Sequence, residues 1–276
     1  EHVKWSSIGQ FKNIIYDVKS KVRYGGEDEN GEVIVLDCQL PTIEFDCRVK
    51  LHGTCSMWRY NKPTGKFVAQ SRERDLSLTS DNAGFYIFSN QREVLLAEMA
   101  EIALLDERYD NCVIFGEFVG KGIQKGVAIS ELSKRFVIFG LKLYNDESDF
   151  EWVLDPMQFL YMPTSTIGLR FGAGTTVEDL NKKDIYFIEQ FPSWKVSIDF
   201  NEPEAVQNWL VDLCVQIENE CPVGKYFGVS GIGEGFVASC NHPELGLMLF
   251  KVKGAAHSNS KVKSLAPVDE ESFKAA

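Results

Sequence analysis

The 276-residue chain has no run of about 18 apolar residues, so it offers no stretch from which a membrane-spanning helix could be built. Its polar opening, EHVKWSSIGQFKN, lacks the apolar core of a secretory signal. Cysteine is present but unpatterned: seven residues, an odd number, none at CxxC spacing, which argues against a disulfide framework and against a structural zinc site. Histidine is scarce. The four copies, His2, His52, His242 and His257, form no HxH or HxxxH pair, so a resident transition-metal centre has little support and any metal is expected to arrive with a substrate. Positive charge is also in short supply, with 29 Lys and Arg against 40 Asp and Glu, a net charge of −11 and a pI near 5.0. Such a chain is a poor non-specific binder of polyanions. Contact with nucleic acid is therefore confined to local patches, the candidates being Lys121 and Lys125 in VGKGIQKGV and Lys251, Lys253, Lys261 and Lys263 in FKVKGAAHSNSKVK. Taken singly, each of these lysines fits a solvated surface position better. The absences together predict a soluble, cytoplasmic protein in a reducing compartment, with no membrane partner.

What is present is a large apolar complement, 44% of the residues, enough for one big domain or for one domain with a small appendage. β-Branched and aromatic runs dominate: EVIVLDCQ, TIEFDCRVKL, KFVAQSRE, NCVIFGEFV, KRFVIFGLKLY, FEWVLD, KVSIDF, GEGFVAS and LGLMLFKVK. Helical periodicity occurs in QREVLLAEMAEIALL from Gln91 and in EPEAVQNWLVDLCVQIENE from Glu202, the second with Asn201 as its predicted start. Strands mixed with two long helices, without regular βαβ alternation, predict an α+β fold with largely antiparallel sheets. After about Gly254 the strand pattern gives way to Ser, Lys, Ala and Glu, and the predicted organisation is one domain over residues 1–262 followed by a flexible tail over 263–276.

The stretch KLHGTCS, residues 50 to 56, places a lysine, a histidine, a glycine and two hydroxyls at the end of a strand-like run. An amine is a weak nucleophile at neutral pH, because lysine carries a reference pKa of about 10.4. Desolvation at a strand end and nearby cations both disfavour the ammonium, and Lys251 and Lys253 are suitable cations. They alternate with Phe250 and Val252, so a strand there turns both lysines to one face and the apolar pair to the other. Two inward cations on a buried strand require an anion. A nucleotide phosphate and a protein carboxylate meet that need equally well.

KLHGTCS resembles the KxHG form of the nucleotidyltransferase box of ATP-dependent RNA ligases of the phage nick-sealing type, the family that also holds the kinetoplastid RNA-editing ligases. Five further stretches follow in that family's order: Ser71-Arg72, FGEFVGKGIQKGV from Phe115 to Val127, RFVIFG from Arg135 to Gly140, GEGFV from Gly233 to Val237, and FKVKG from Phe250 to Gly254. GEFxGxGIQK is the most specific of them. The likeness runs from about Trp5 to Lys263 and is loose over 145–230. It implies an ATP-grasp-like ligase adenylation (nucleotidyltransferase) domain with antiparallel sheets flanking a nucleotide pocket. It also implies ATP and Mg²⁺ or Mn²⁺ as cofactors, and RNA with 5′-phosphate and 3′-hydroxyl ends as partner, engaged by a monomer. Under the resemblance Lys50 attacks the α-phosphate and forms lysyl-AMP, Lys251 and Lys253 hold the α-phosphate oxygens, and Glu234 binds the metal or its waters. Glu117 meets the ribose, Arg72 the nucleotide or the RNA end phosphate, Phe139 the adenine ring, and Val49 and Leu51 flank the nucleophile at the nucleotide. His52 and Gln124 serve the later, RNA-dependent steps. Residue by residue, plainer readings stand beside these: Glu117 and Glu234 as edge carboxylates, Phe139 as a core aromatic, Arg72 as part of the SRERD charge cluster.

The departures are specific. Val49 stands where these ligases often carry a Glu that reads the adenine amino group, so base selectivity would rest on backbone groups or another side chain. Cys55 replaces the usual Asn of HGTN, and Gly140 the usual Asp after the stacking aromatic. The chain ends soon after FKVKG, where the family carries a C-terminal domain, as a minimal or a truncated ligase would. Competing expectations are a DNA ligase or a capping guanylyltransferase, which share the lysine but usually read KxDG and lack GIQK, and a non-catalytic RNA-end-binding relative.

Overall fold

Alternate apolar residues in TIEFDCRV put Ile43, Phe45, Cys47 and Val49 on one face of a strand, and all four are buried. This strand belongs to an α+β fold seen in a computed structural model that describes residues 2–105, 107–146, 148–160, 175–258 and 264–271. The strands are β1 Tyr24–Glu27, β2 Val33–Val35, β3 Thr42–Val49, β4 Thr54–Asn61, β5 Lys66–Ser71, β6 Asn111–Val119, β7 Arg135–Tyr144, β8 Phe150–Val153, β9 Ile185–Phe187, β10 Ser193–Asp199, β11 Gly235–His242 and β12 Gly246–Lys253. The helices are α1 Phe11–Val22, α2 Phe85–Asn90, α3 Glu93–Ala103, α4 Val177–Asn181, α5 Gln207–Asn219 and α6 Pro222–Tyr226. The chain divides into two compact units, one of residues 1–5 and 51–191, the other of 6–50 and 192–276.

In the first unit, strands run in the order β5-β4-β6-β7-β8, all antiparallel, while β9 joins β7 in parallel. One face of this sheet is closed by α2 and α3 over a core that includes Trp58, Phe85, Phe118, Phe136 and Leu96. The other face carries a second apolar cluster of Met57, Val113, Phe115 and Tyr144, covered by Val3 and Trp5. A sheet buried on both faces explains why TCSMWRYN was not among the predicted strands. Met57 and Trp58 are both buried, and so is the hydroxyl-bearing Ser56, leaving no polar face to mark the period.

In the second unit the order is β10-β3-β11-β12, antiparallel throughout, with α1 and α5 packed on it and the Phe250 ring in contact with those of Phe11 and Phe45. Helix α1 is an addition to the predicted set. Its Phe11, Ile14 and Val18 are buried along one stripe, a signal present in FKNIIYDVKSKV. The helix expected from Glu202 begins as a 3-10 turn at Pro203–Val206 before α5. Asn201 does not cap it: its side-chain oxygen accepts from the Leu40 N–H at 2.9 Å and its amide donates to the Leu40 carbonyl at 2.8 Å. EVIVLDCQ yields only the three residues of β2, paired with β1 in a two-stranded ribbon on which Val33, Ile34 and Val35 are exposed. The predicted boundary at 262/263, with Lys261 and Lys263, lies outside the described residues. Residues 264–271 run beside α5, where Gln207 donates to the Ala266 carbonyl and Asn208 to that of Val268.

Candidate functional site

Strand β3 ends at Val49, yet Lys50 still donates its backbone N–H to the Gly235 carbonyl at 2.8 Å. That bond ties the end of β3 to the start of β11. Gly235 faces Lys253 across β12, and Val237 faces Lys251. Any side chain at Gly235 would strike the Val252 carbonyl, and its φ of +145° suits glycine alone, so glycine is what lets β11 start here. One residue earlier, Glu234 is 3% exposed, and its Oε1 accepts from Lys50 Nζ at 3.2 Å and Lys253 Nζ at 3.0 Å. Three segments far apart in sequence thus meet at one carboxylate oxygen, and the reading of Glu234 as an exposed edge carboxylate is corrected by its burial. Two ammoniums on one carboxylate leave a net positive centre, with the lysine side chains 22% and 17% exposed and reaching water. Lys251 and Lys253 alternate with buried Phe250 and Val252, as the sequence pattern requires.

A cavity of about 210 Å³ in the same unit is lined by Lys251 and Lys253 together with Gln10, Lys12 and Ser264. Lys12 belongs to no motif. It reaches this cavity because α1 packs against β12, a contact that no local pattern announces.

In the first unit the turn after Leu51 is fixed by Gly53. Its N–H donates to Glu117 Oε1 at 3.1 Å, and its carbonyl accepts from Gln124 Nε2 at 3.4 Å. A Cβ at Gly53 would collide with the Phe118 carbonyl, so the glycine is needed for close approach to β6. Glu117, Gln124 and the turn at Gly53 are therefore brought together. His52 within that turn is half-buried, and Leu51 is buried, as is Val49 in the core of the other unit. Thr54 Oγ1 accepts from the Asn82 amide at 3.0 Å.

Phe139 is the extra residue of a β-bulge, since Phe115 pairs with Gly140 and Gly116 with Ile138. Trp5 meets the Phe139 ring edge-on at 5.0 Å, and the indole lies where a Gly140 side chain would be, 2.5 Å from a Cβ built there. Trp5 thus fills the space that a side chain at 140 would need. Arg72 stands apart from these groups: its side chain is 79% exposed and its ion pair is with neighbouring Glu73 at 4.0 Å. Lys121 and Lys125 are exposed.

Two buried thiols of the second unit are held in the protonated, weakly nucleophilic form. Burial, then Asp46, pushes Cys47 up to about 12, and burial, then Glu218, does the same to Cys214. Among the described residues no three His, Cys, Asp or Glu side chains are grouped to hold a metal ion. Glu234 supplies one carboxylate, which fits a divalent cation that takes its remaining ligands from substrate phosphate and water.

No protein-family model matches the chain, and no curated protein matches it. Solved structures do overlap with it: Naegleria gruberi RNA ligase with pyrophosphate, at 15% identity and TM-score 0.47, and variants of that ligase with AMP and Mn (16%, 0.47) and with ATP and Mn (17%, 0.47). Each overlap covers 92% of this chain and 57% of the other, so the chain spans a little over half the length of these ligases. At such identities and TM-scores the overlap assigns neither family nor activity.

Proposed function

We propose that the chain is an ATP-dependent RNA ligase of the covalent nucleotidyltransferase type, similar to the phage nick-sealing enzymes, with Lys50 as its nucleophile. What supports the reading is the convergence of KLHG, GEGFV and FKVKG on Glu234, with Lys50 and Lys253 within 3.2 Å of one oxygen. Lys50 Nζ gives one proton to solvent and attacks the α-phosphorus of ATP as the neutral amine; the N–P bond forms as the bond to the bridging oxygen breaks, pyrophosphate leaves, and a second proton passes to solvent, so that the phosphoramidate nitrogen keeps one hydrogen. An oxygen of the RNA 5′-phosphate then takes the AMP from Lys50, giving a 5′–5′ pyrophosphate link. Finally the 3′-hydroxyl attacks the RNA phosphorus, AMP departs and a phosphodiester remains.

Each step is an in-line displacement, for which the protein positions groups and offsets charge. Lys251 and Lys253 hold the α-phosphate oxygens, with Lys12 added on the cavity they share. Mg²⁺ or Mn²⁺ carried in with ATP would be held by Glu234 and would supply charge neutralisation at the phosphates. Glu117 turns its second oxygen to the ribose, Phe139 stacks on adenine, and Arg72, long and exposed, takes the terminal phosphate of RNA. Val49 and Leu51, their side chains buried, act through their backbone groups.

The test is covalent labelling by α-labelled ATP with Mg²⁺. The expected result is an acid-labile bond that is lost in Lys50→Ala. Label that persists in Lys50→Ala sinks the assignment, and label from GTP alone moves it to a capping enzyme.

A further inference from the structure

We propose that a second anion site, separate from Lys50 and its partners, lies in the first unit on strands β4 and β5 and takes a phosphate of the RNA strand. The choice of RNA as the source rests on the ligase reading above; the anion site itself does not. The cavity there measures about 320 Å³ and is lined by Arg59, Asn61, Thr64, Lys66 and Asn111. That is the lower end of ligand pockets, which run roughly 300–1,000 Å³.

Strand pairing builds it. Asn61 stands opposite Lys66 and Asn111, and Arg59 opposite Val68, so Arg59, Asn61 and Lys66 emerge on one face of the sheet. The neutral groups are satisfied among themselves: Asn61 donates to Asn111 Oδ1 at 3.0 Å, and Thr64 donates to Asn61 Oδ1 through its N–H at 3.1 Å and its hydroxyl at 2.8 Å. They form the wall and leave the cations to face the cavity. Arg59 is the anomaly. Its side chain is only 15% exposed, yet the one partner of its guanidinium among the described residues is Asp75 Oδ2 at 3.7 Å, too far for a hydrogen bond. A guanidinium with five donors and a buried stem suits an anion that accepts at two or more oxygens, and phosphate, with several oxygens on one phosphorus, fits that description. Lys66, exposed at the rim, adds a second positive charge against the single, half-exposed Asp75. In a chain of net charge −11 this local excess is selective for phosphate where bulk electrostatics is not.

The test is equilibrium binding of a short fluorescent single-stranded RNA to the whole chain, without ATP, across a salt series. Lys66→Ala should weaken binding about threefold to tenfold and lower the salt slope by about 0.7, one phosphate contact on a single strand. Arg59→Lys, which keeps charge and loses the fork, should weaken it by a similar factor. Asp75→Asn should tighten it about threefold, a gain that misfolding cannot imitate. ATP labelling of Lys50 should be unchanged in all three. Unchanged RNA affinity and slope in Lys66→Ala and Asp75→Asn overturn the site. Competition by inorganic phosphate that is lost in Lys66→Ala while RNA binding is unaffected overturns RNA as its ligand. If wild-type Lys50 takes no AMP but the three variants shift RNA affinity as stated, the ligase reading fails and the anion site stands.

Discussion

Glu234 is the residue on which the arrangement at Lys50 turns. Replacing it by Gln removes the charge shared by Lys50 and Lys253 and leaves two ammoniums facing a neutral amide. A fully buried pair broken in this way costs about 3–5 kcal/mol; both lysines here reach water, so about 2 kcal/mol is expected from urea denaturation of Glu234→Gln. Under the ligase reading the same variant should lose Lys50 labelling by two or more decades. Gln124 and His52 should behave differently. Gln124 donates to the Gly53 carbonyl at 3.4 Å, and so supports the turn after Lys50 without contributing charge to it. Gln124→Ala and His52→Ala should keep Lys50 labelling within about tenfold, roughly 1.4 kcal/mol in barrier, and slow AMP transfer to RNA by two decades or more in single-turnover assays. His52→Ala failing at labelling as badly as Lys253→Ala would show that the division of roles is wrong.

Among the elements, the bulge of β7 has the clearest energetic consequence. Phe139 and Gly140 share one side of the sheet with Trp5, whose ring also packs on Phe115 at 4.9 Å and Trp152 at 5.0 Å. Gly140→Ala would force the indole aside at a cost of about 1–3 kcal/mol. In a Trp5→Ala background only the 3.1 Å approach to the Val153 carbonyl remains, so the same change should cost less and a double-mutant cycle by thermal or urea unfolding should return a coupling of about 1 kcal/mol. Additive effects would mean that Trp5 does not occupy the glycine's place. Strand β6 and strand β7 were legible because NCVIFGEFV and RFVIFGLKLY are unbroken runs with β-branched and aromatic residues. Strand β4 was not, because neighbours on both edges and cover on both faces erase the polar–apolar alternation on which such reading depends.

The chain as a whole has an alkaline limit set by its buried thiols. Cys47 and Cys214, both in the second unit, ionise near 12 when folded and near 9 when exposed. Above pH 9 the unfolded chain sheds protons that the fold retains, so stability falls as pH rises between about 9 and 12, by up to about 1.4 kcal/mol per pH unit for each thiol. Urea midpoints at pH 8 and pH 11 should show this drop, and Cys47→Ala should make it shallower. The sequence by itself determined the strand-rich α+β character, most of the strand positions and the order of the motifs, because these depend on periodicity within about ten residues. Only the tertiary structure decided that Glu234 is buried and shared by Lys50 and Lys253, that Trp5 fills the place of a Gly140 side chain, that Arg59 meets Asp75 at 3.7 Å, beyond hydrogen-bond reach, and that Lys12 borders the Lys251 cavity. Each of those facts depends on long-range pairing of strands and on packing of a helix against a sheet. Such contacts are set by burial of whole faces, and no local spacing encodes which residue will stand opposite which.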